Sequence, residues 1–101
     1  MSGRYVLDGH KPVPCHDLMA WGQWLQSAPN RVVARTMVRE GVEVSTVFLG
    51  LDHQFSNGAP LLFETMVFRN GDGQDMDRYS TWDEAVAGHE AMVKSVQEEA
   101  K

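Results

Sequence analysis

The segment Leu61–Phe68 is apolar on both of its faces. At strand spacing Leu61, Phe63 and Val67 share one side, and Leu62, Met66 and Phe68 share the other. Glu64 is its one charge. A strand of this composition has to be covered twice. That demand is severe for a chain of 101 residues, which has room for a single domain and a single core.

The neighbouring segments alternate in the manner of half-buried strands. In Arg31–Arg39, Val32, Ala34, Thr36 and Val38 point one way, and Arg31, Val33, Arg35, Met37 and Arg39 the other. Glu40-Gly41 marks a turn. Val42, Val44, Thr46 and Phe48 then alternate with Glu43, Ser45, Val47 and Leu49. A two-residue turn would pair Arg39 with Val42 and mix basic and apolar positions on one face. An odd-length turn, with Arg39 opposite Glu43, collects the small apolar residues and sets opposite charges across from each other. The odd-length turn is expected, with Gly41 in the left-handed conformation. A short hairpin is expected over 5–14, turning at Asp8-Gly9, with Pro12 and Pro14 keeping its second piece at an edge. Asp52–Pro60 reads as a loop, and Asn70–Asp77 as an acidic turn region.

Two segments carry helical periodicity. Asp17 is placed to cap a helix running to Ala28, with Leu18, Trp21, Leu25 and Ala28 on one stripe and Trp24 beside it. Pro29-Asn30 ends it. Thr81-Trp82-Asp83-Glu84 is a capping box for a second helix, reaching to about Glu98. Its apolar stripe is Trp82, Ala85, Val86, His89, Met92, Val93 and Val96.

The expected fold is one α+β domain over 1–101. It has a mainly antiparallel sheet of four to five strands (31–39, 42–50 and 61–69 among them) and two amphipathic helices, 17–28 and 82–98. Two helices of this length cover one sheet face. Val47, Leu49 and one side of Leu61–Phe68 are left on the other, and an exposed apolar patch of that size marks a contact surface. A homo-oligomer follows, most simply a two-fold dimer packing sheet on sheet.

Composition removes several function classes. Nine basic residues against 14 acidic ones give a net charge of −5, a poor basis for general nucleic-acid binding. No apolar run approaches the ~18 residues that span a bilayer. The N-terminus lacks the layout of a signal peptide, so the cytoplasm is the expected compartment. One cysteine, Cys15, excludes an internal disulfide and a multi-cysteine zinc site. No P-loop, GxGxxG or GxSxG pattern is present, and no cofactor is expected.

Three groups of residues could carry chemistry. Arg31, Arg35 and Arg39, on one strand face, suit an anion through arginine's planar fork, with Trp24 available to stack a ring. His89, on the apolar stripe of the second helix, reads as a core histidine for which Glu64 is a candidate partner. Alternatively, His53, Glu64 and His89, with Asp52, could form a metal or acid–base site, although no HExxH-like spacing supports it. Cys15-His16-Asp17 is too local to align as a nucleophile triad. Asp72–Asp77 lacks the glycine and closing glutamate of a calcium loop.

The strings Val44-Ser45-Thr46-Val47-Phe48-Leu49-Gly50-Leu51-Asp52-His53, Leu62-Phe63-Glu64-Thr65-Met66 and Tyr79-Ser80-Thr81-Trp82-Asp83-Glu84-Ala85 with Gly88-His89 resemble a group of small, uncharacterised bacteriophage and prophage proteins. The resemblance covers about residues 20 to 95. It implies a phage origin and action in the host cytoplasm, and it transfers no catalytic residue. Phage accessory proteins of this size often block a host protein or sequester nucleotide signals of antiviral defence. The expected function is therefore a non-enzymatic, oligomeric binding protein. Its partners would be itself and either a host protein or a small anionic ligand held by Arg31, Arg35, Arg39 and Trp24. The alternative is a small metal-assisted hydrolase.

Overall fold

Alternating segments became strands and the two capped stripes became helices in the computed structural model, which describes residues 3–52 and 58–99. In chain order these are β1 (Tyr5–Asp8), β2 (Lys11–Pro14), α1 (Leu18–Ser27), a single 3-10 turn (Pro29–Arg31), β3 (Val32–Arg39), β4 (Val42–Phe48), β5 (Phe63–Arg69), β6 (Asp72–Tyr79) and α2 (Trp82–Glu99). The class is α+β. The main sheet is antiparallel in the order β3-β4-β5-β6, and β1 and β2 form a separate two-stranded sheet.

Both helix starts follow their caps. Asp17 Oδ1 accepts from the Ala20 amide at 3.1 Å. Thr81 and Glu84 exchange two bonds of 3.1 Å, and the Ser80 amide adds a third to Glu84. Satisfying these free amide groups is what fixes where each helix begins.

Two expectations are corrected by the hairpins. β3 and β4 are joined by a two-residue turn, with Arg39 opposite Val42 rather than Glu43. Gly41 is left-handed, with φ of 80°. The mixing that this register brings is confined to Arg39 beside Val42, because a bulge between Met37 and Arg39 leaves Val38 unpaired and restores Thr36 opposite Val44. The second correction is β6. Asn70–Asp77 is a turn and a strand, not a turn region: Asn70 and Gly71 both take positive φ, 52° and 87°, and join Arg69 to Asp72. Asn-Gly is the preferred filling of such a turn.

One sheet face carries the core, in two apolar clusters. Leu7, Phe48, Leu62, Phe63 and Ala85 form the first, with Trp24, Val33, Tyr79 and Trp82 packed on it. Val42, Val44, Val67 and Val96 form the second, with Val38, Met92 and Val93. Rings cross at steep angles in the first: Trp24 against Phe48 at 88°, Phe63 against Trp82 at 90°. These edge-to-face pairs suit the aromatic quadrupole. α2, α1 and the β1–β2 hairpin all pack on this one face. His10 of the hairpin turn stacks flat on Trp82, centroids 3.7 Å apart, and ties the hairpin to the start of α2.

Candidate functional site

Among the described residues every covering element lies on one side, and the other face of the sheet is open. The register lays it out in rows across the strands: Met37, Glu43 and Phe68; Arg35, Ser45, Met66 and Met76; Val32, Val47, Glu64 and Arg78. Met37 is 63% exposed, Met76 46% and Val32 42%. Between Arg35, Met37, Glu43, Val47 and Phe68 lies a shallow depression of about 510 Å³. The charges of this face cancel. Arg78 Nε donates to Glu64 Oε2 at 3.1 Å, and Arg35 is matched in number by Glu43. The chain's charge of −5 therefore sits elsewhere.

Between the two apolar clusters runs a polar belt. His89 is 5% exposed and projects from α2 onto the sheet. Its Nε2 lies 2.8 Å from Thr36 Oγ1, and its Nδ1 2.8 Å from Thr46 Oγ1. Thr46 Oγ1 in turn lies 2.6 Å from Thr65 Oγ1, and Thr65 bonds the hydroxyl of Tyr79. The chain crosses β3, β4, β5 and the end of β6. A neutral imidazole has one N–H and one lone pair, so one threonine receives a proton and the other supplies one. Burial holds the His89 pKa below its ordinary 6.5, with Glu90 opposing weakly. Burial likewise pushes the Tyr79 phenol up, against the hydrogen bond from Thr65. A neutral histidine and a neutral phenol are thus the resting forms, as a dry site requires.

Glu64 is not the partner of His89. Thr65 faces α2, so the adjacent Glu64 faces away, and strand alternation puts the two on opposite sides of the sheet. Asp52 Oδ1 accepts from the Leu61 amide at 3.0 Å and fastens the strand entrance. His53 lies outside the described residues. The cluster of His53, Glu64, His89 and Asp52 is therefore corrected at its centre. Among the described residues no group of three or more His, Cys, Asp or Glu side chains is placed to hold a metal ion.

The arginine row is also separated. Arg31 falls in the 3-10 turn, where its guanidinium donates to the carbonyls of Leu25 and Phe48 at 3.3 and 3.4 Å. Arg39 is carried by the bulge to the helix side. It donates to the Val96 carbonyl at 3.1 Å and stands 3.9 Å from Glu99. Both arginines serve the C-terminal ends of helices, where carbonyls lack partners and positive charge is favoured. Arg35 alone stays on the open face. Trp24 packs on Phe48, on the opposite side. Arg69 braces the same end of α2, bonding Glu99 at 2.8 Å and Asp75 at 3.4 Å, and these carboxylates raise its pKa.

Two features escaped sequence reasoning: the belt and the groove along β6. Thr36, Thr46 and Thr65 on strand faces otherwise apolar were the available signal for the first. Comparisons with family models, with curated proteins and with solved structures find no match to this chain. Among the described residues no helix is long and apolar enough to cross a membrane.

Proposed function

We propose that this chain is a non-enzymatic protein-binding module that works as a two-fold dimer through the open face of its main sheet. The supporting observation is an apolar set of exposed Val32, Met37 and Met76 and half-buried Val47, Met66 and Phe68, on a sheet whose described helices and hairpin all pack on the other side. β5 carries apolar residues on both faces, and the described residues of one protomer cover only one of them. A second copy supplies the missing layer at the ordinary sheet-to-sheet spacing of ~10 Å.

Charge favours self-association over other occupants. Two arginines and two glutamates share the face, so a two-fold axis can set Arg35 of one copy against Glu43 of its partner and the reverse. Two copies of an acidic protein meet with least repulsion where the local charge is zero. Four strands about seven residues long present roughly 400 Å² in plan, before the relief of the side chains is added. That approaches the ~600 Å² per partner at which specific interfaces begin.

The resemblance to small bacteriophage proteins makes a host protein the natural second partner, and interference with host defence the natural purpose. A nucleotide-like anion is the less favoured ligand, because Arg35 stands beside Glu43 and apart from Arg31, Arg39 and Trp24. The metal-assisted hydrolase is not supported by a Glu64 and a His89 on opposite faces.

The test is the mass in solution. Sedimentation of the full chain should give twice 11.3 kDa. Met37→Glu combined with Phe68→Glu places two charges on the seam and should give a folded monomer. A native chain that stays monomeric at millimolar concentration, or a doubly substituted chain that stays dimeric, overturns the reading.

A further inference from the structure

A second surface lies at the free edge of the sheet. β6 ends the strand order, and residues 72–77 are all exposed. Alternate residues of an edge strand point their N–H and C=O groups outward, unpaired. Beside this edge, between β6 and α2, runs a groove of about 620 Å³. Its floor is apolar, from Tyr79, Met92 and Val96, with Met76 only at the rim because its side chain lies on the open face beside Met66. The helix wall is built from small residues, Gly88, Ala91 and Ser95, spaced so that they share one flank. Glycine is required at position 88 because a Cβ there would overlap the ring and hydroxyl of Tyr79. The groove exists because α2 carries no bulk on that side.

Its charge is one-sided. Asp75, Asp77 and Glu99 line it. Arg69 offsets part of this by bridging Asp75 and Glu99, and Asp77 is left beside the Tyr79 ring with no ion pair among the described residues. The other edge, β3, is a poorer template. It is interrupted by two bulges, against the one that leaves Asp75 unpaired in β6, and Arg39 at its end is committed to α2. The aspartates of β6 repel a second β6, so this edge does not pair with its own copy.

We propose that the groove binds an extended basic segment of a partner protein by strand addition to β6. The segment donates to and accepts from the outward main-chain groups of β6, and its alternate apolar side chains enter the groove between Tyr79, Met92 and Val96. A lysine or arginine of the segment reaches Asp77 over the face of Tyr79, where carboxylate and ring attract the same cation. From Gly88 to Glu99 the wall is roughly 17 Å long, which accommodates about five extended residues. This inference rests on the reading of the chain as a protein-binding module and names the class of partner.

The probe is acetyl-Lys-Leu-Arg-Leu-Lys-amide, titrated into the isotopically labelled full chain. Saturable amide shifts are expected at β6 and along Gly88, Ala91 and Ser95, with slowed hydrogen exchange at alternate residues of β6. Asp77→Lys, at an exposed site, should weaken binding at least about tenfold, as loss of a charge-assisted contact does. A version of the peptide N-methylated at its outward-bonding amides should bind no better than acetyl-Glu-Leu-Glu-Leu-Glu-amide. No saturable binding, binding indifferent to Asp77→Lys or to N-methylation, or shifts confined to the Met37–Phe68 face would each overturn the proposal. Sedimentation of the same samples keeps the dimer separate: a monomer that binds the peptide ends the dimer alone, and a dimer that ignores the peptide ends strand addition alone.

Discussion

Thr46 Oγ1 stands 2.8 Å from Nδ1 of His89 and 2.6 Å from Thr65 Oγ1, at the centre of a polar belt that divides the core into two apolar halves. The belt is fully buried at Thr46 and Thr65. Each hydroxyl there is tolerable only because its neighbour bonds it. Replacing His89 by leucine takes from the half-buried Thr36 its bond to the ring and from the buried Thr46 one of its two side-chain bonds, the one to Thr65 remaining. We expect a loss of about 1–3 kcal/mol in urea denaturation, from polar groups left under-satisfied. Thr46→Val with Thr65→Val and His89→Leu, which removes the belt's centre, should cost less than the single changes add up to. An additive result would show the three residues to act independently.

Stability should fall with acidity through His89. Its pKa is lowered on folding, so the unfolded chain binds more protons between the folded value and 6.5. The contribution of the neutral ring is complete above 6.5 and is lost progressively as pH drops through that window towards the folded pKa. His89→Gln removes the titration while keeping a donor and an acceptor. Denaturation midpoints at about pH 7 and about pH 5 should diverge more in the native chain than in the variant. Equal slopes would remove His89 from the acid response.

Gly88→Ala reverses the usual sign for a helix. On propensity alone alanine would stabilise by about 1 kcal/mol. Here the added methyl meets the Tyr79 ring and hydroxyl, so a loss of about 1–3 kcal/mol is expected from overpacking. Tyr79→Ser should restore the normal preference, and a double-mutant cycle on melting temperature reads the coupling directly.

The three arginines should separate by experiment. Arg39→Ala removes a donor from the Val96 carbonyl and should fray the end of α2, at a cost of about 1 kcal/mol or less for so exposed a group. Amide exchange over the last turn would rise. Arg31→Ala should loosen the α1 end in the same way, through Leu25. Arg35→Ala should leave the protomer's stability within about 0.5 kcal/mol and act only on association. If Arg35→Ala destabilised the protomer as much as Arg39→Ala, the division of roles would fail.

The hairpin latch is testable by fluorescence. His10→Ala removes the ring stacked on Trp82 and should cost about 0.5–1.5 kcal/mol, with a shift of tryptophan emission towards solvent. Unchanged emission would mean that the stack does not hold the hairpin.

The readable parts of this sequence were those whose physics is local. Asp17, Thr81 and Glu84 cap the amides next to them, so helix starts could be placed without knowing the fold. Alternation over Val32–Arg39 and Val42–Phe48, and the doubly apolar Phe63–Phe68, are set by the pleat itself, and with them the class α+β. Asn70-Gly71 was equally local, and its hairpin was legible to a reader who weighed the turn above the aspartates that follow.

What remained depended on parity and on partners distant along the chain. One bulge at Val38 decides that Arg39 meets Val96 rather than the open face, and a single unpaired residue leaves no mark in composition. Whether His89 meets Glu64 or Thr46 turns on which side of β5 faces α2, which is fixed when Phe63, Thr65 and Val67 pack and Glu64 is turned outward. The residue pattern alone set which faces were apolar. The tertiary structure decided that all the helices share one of them, because packing energy is set by what is placed opposite, and only folding makes that choice.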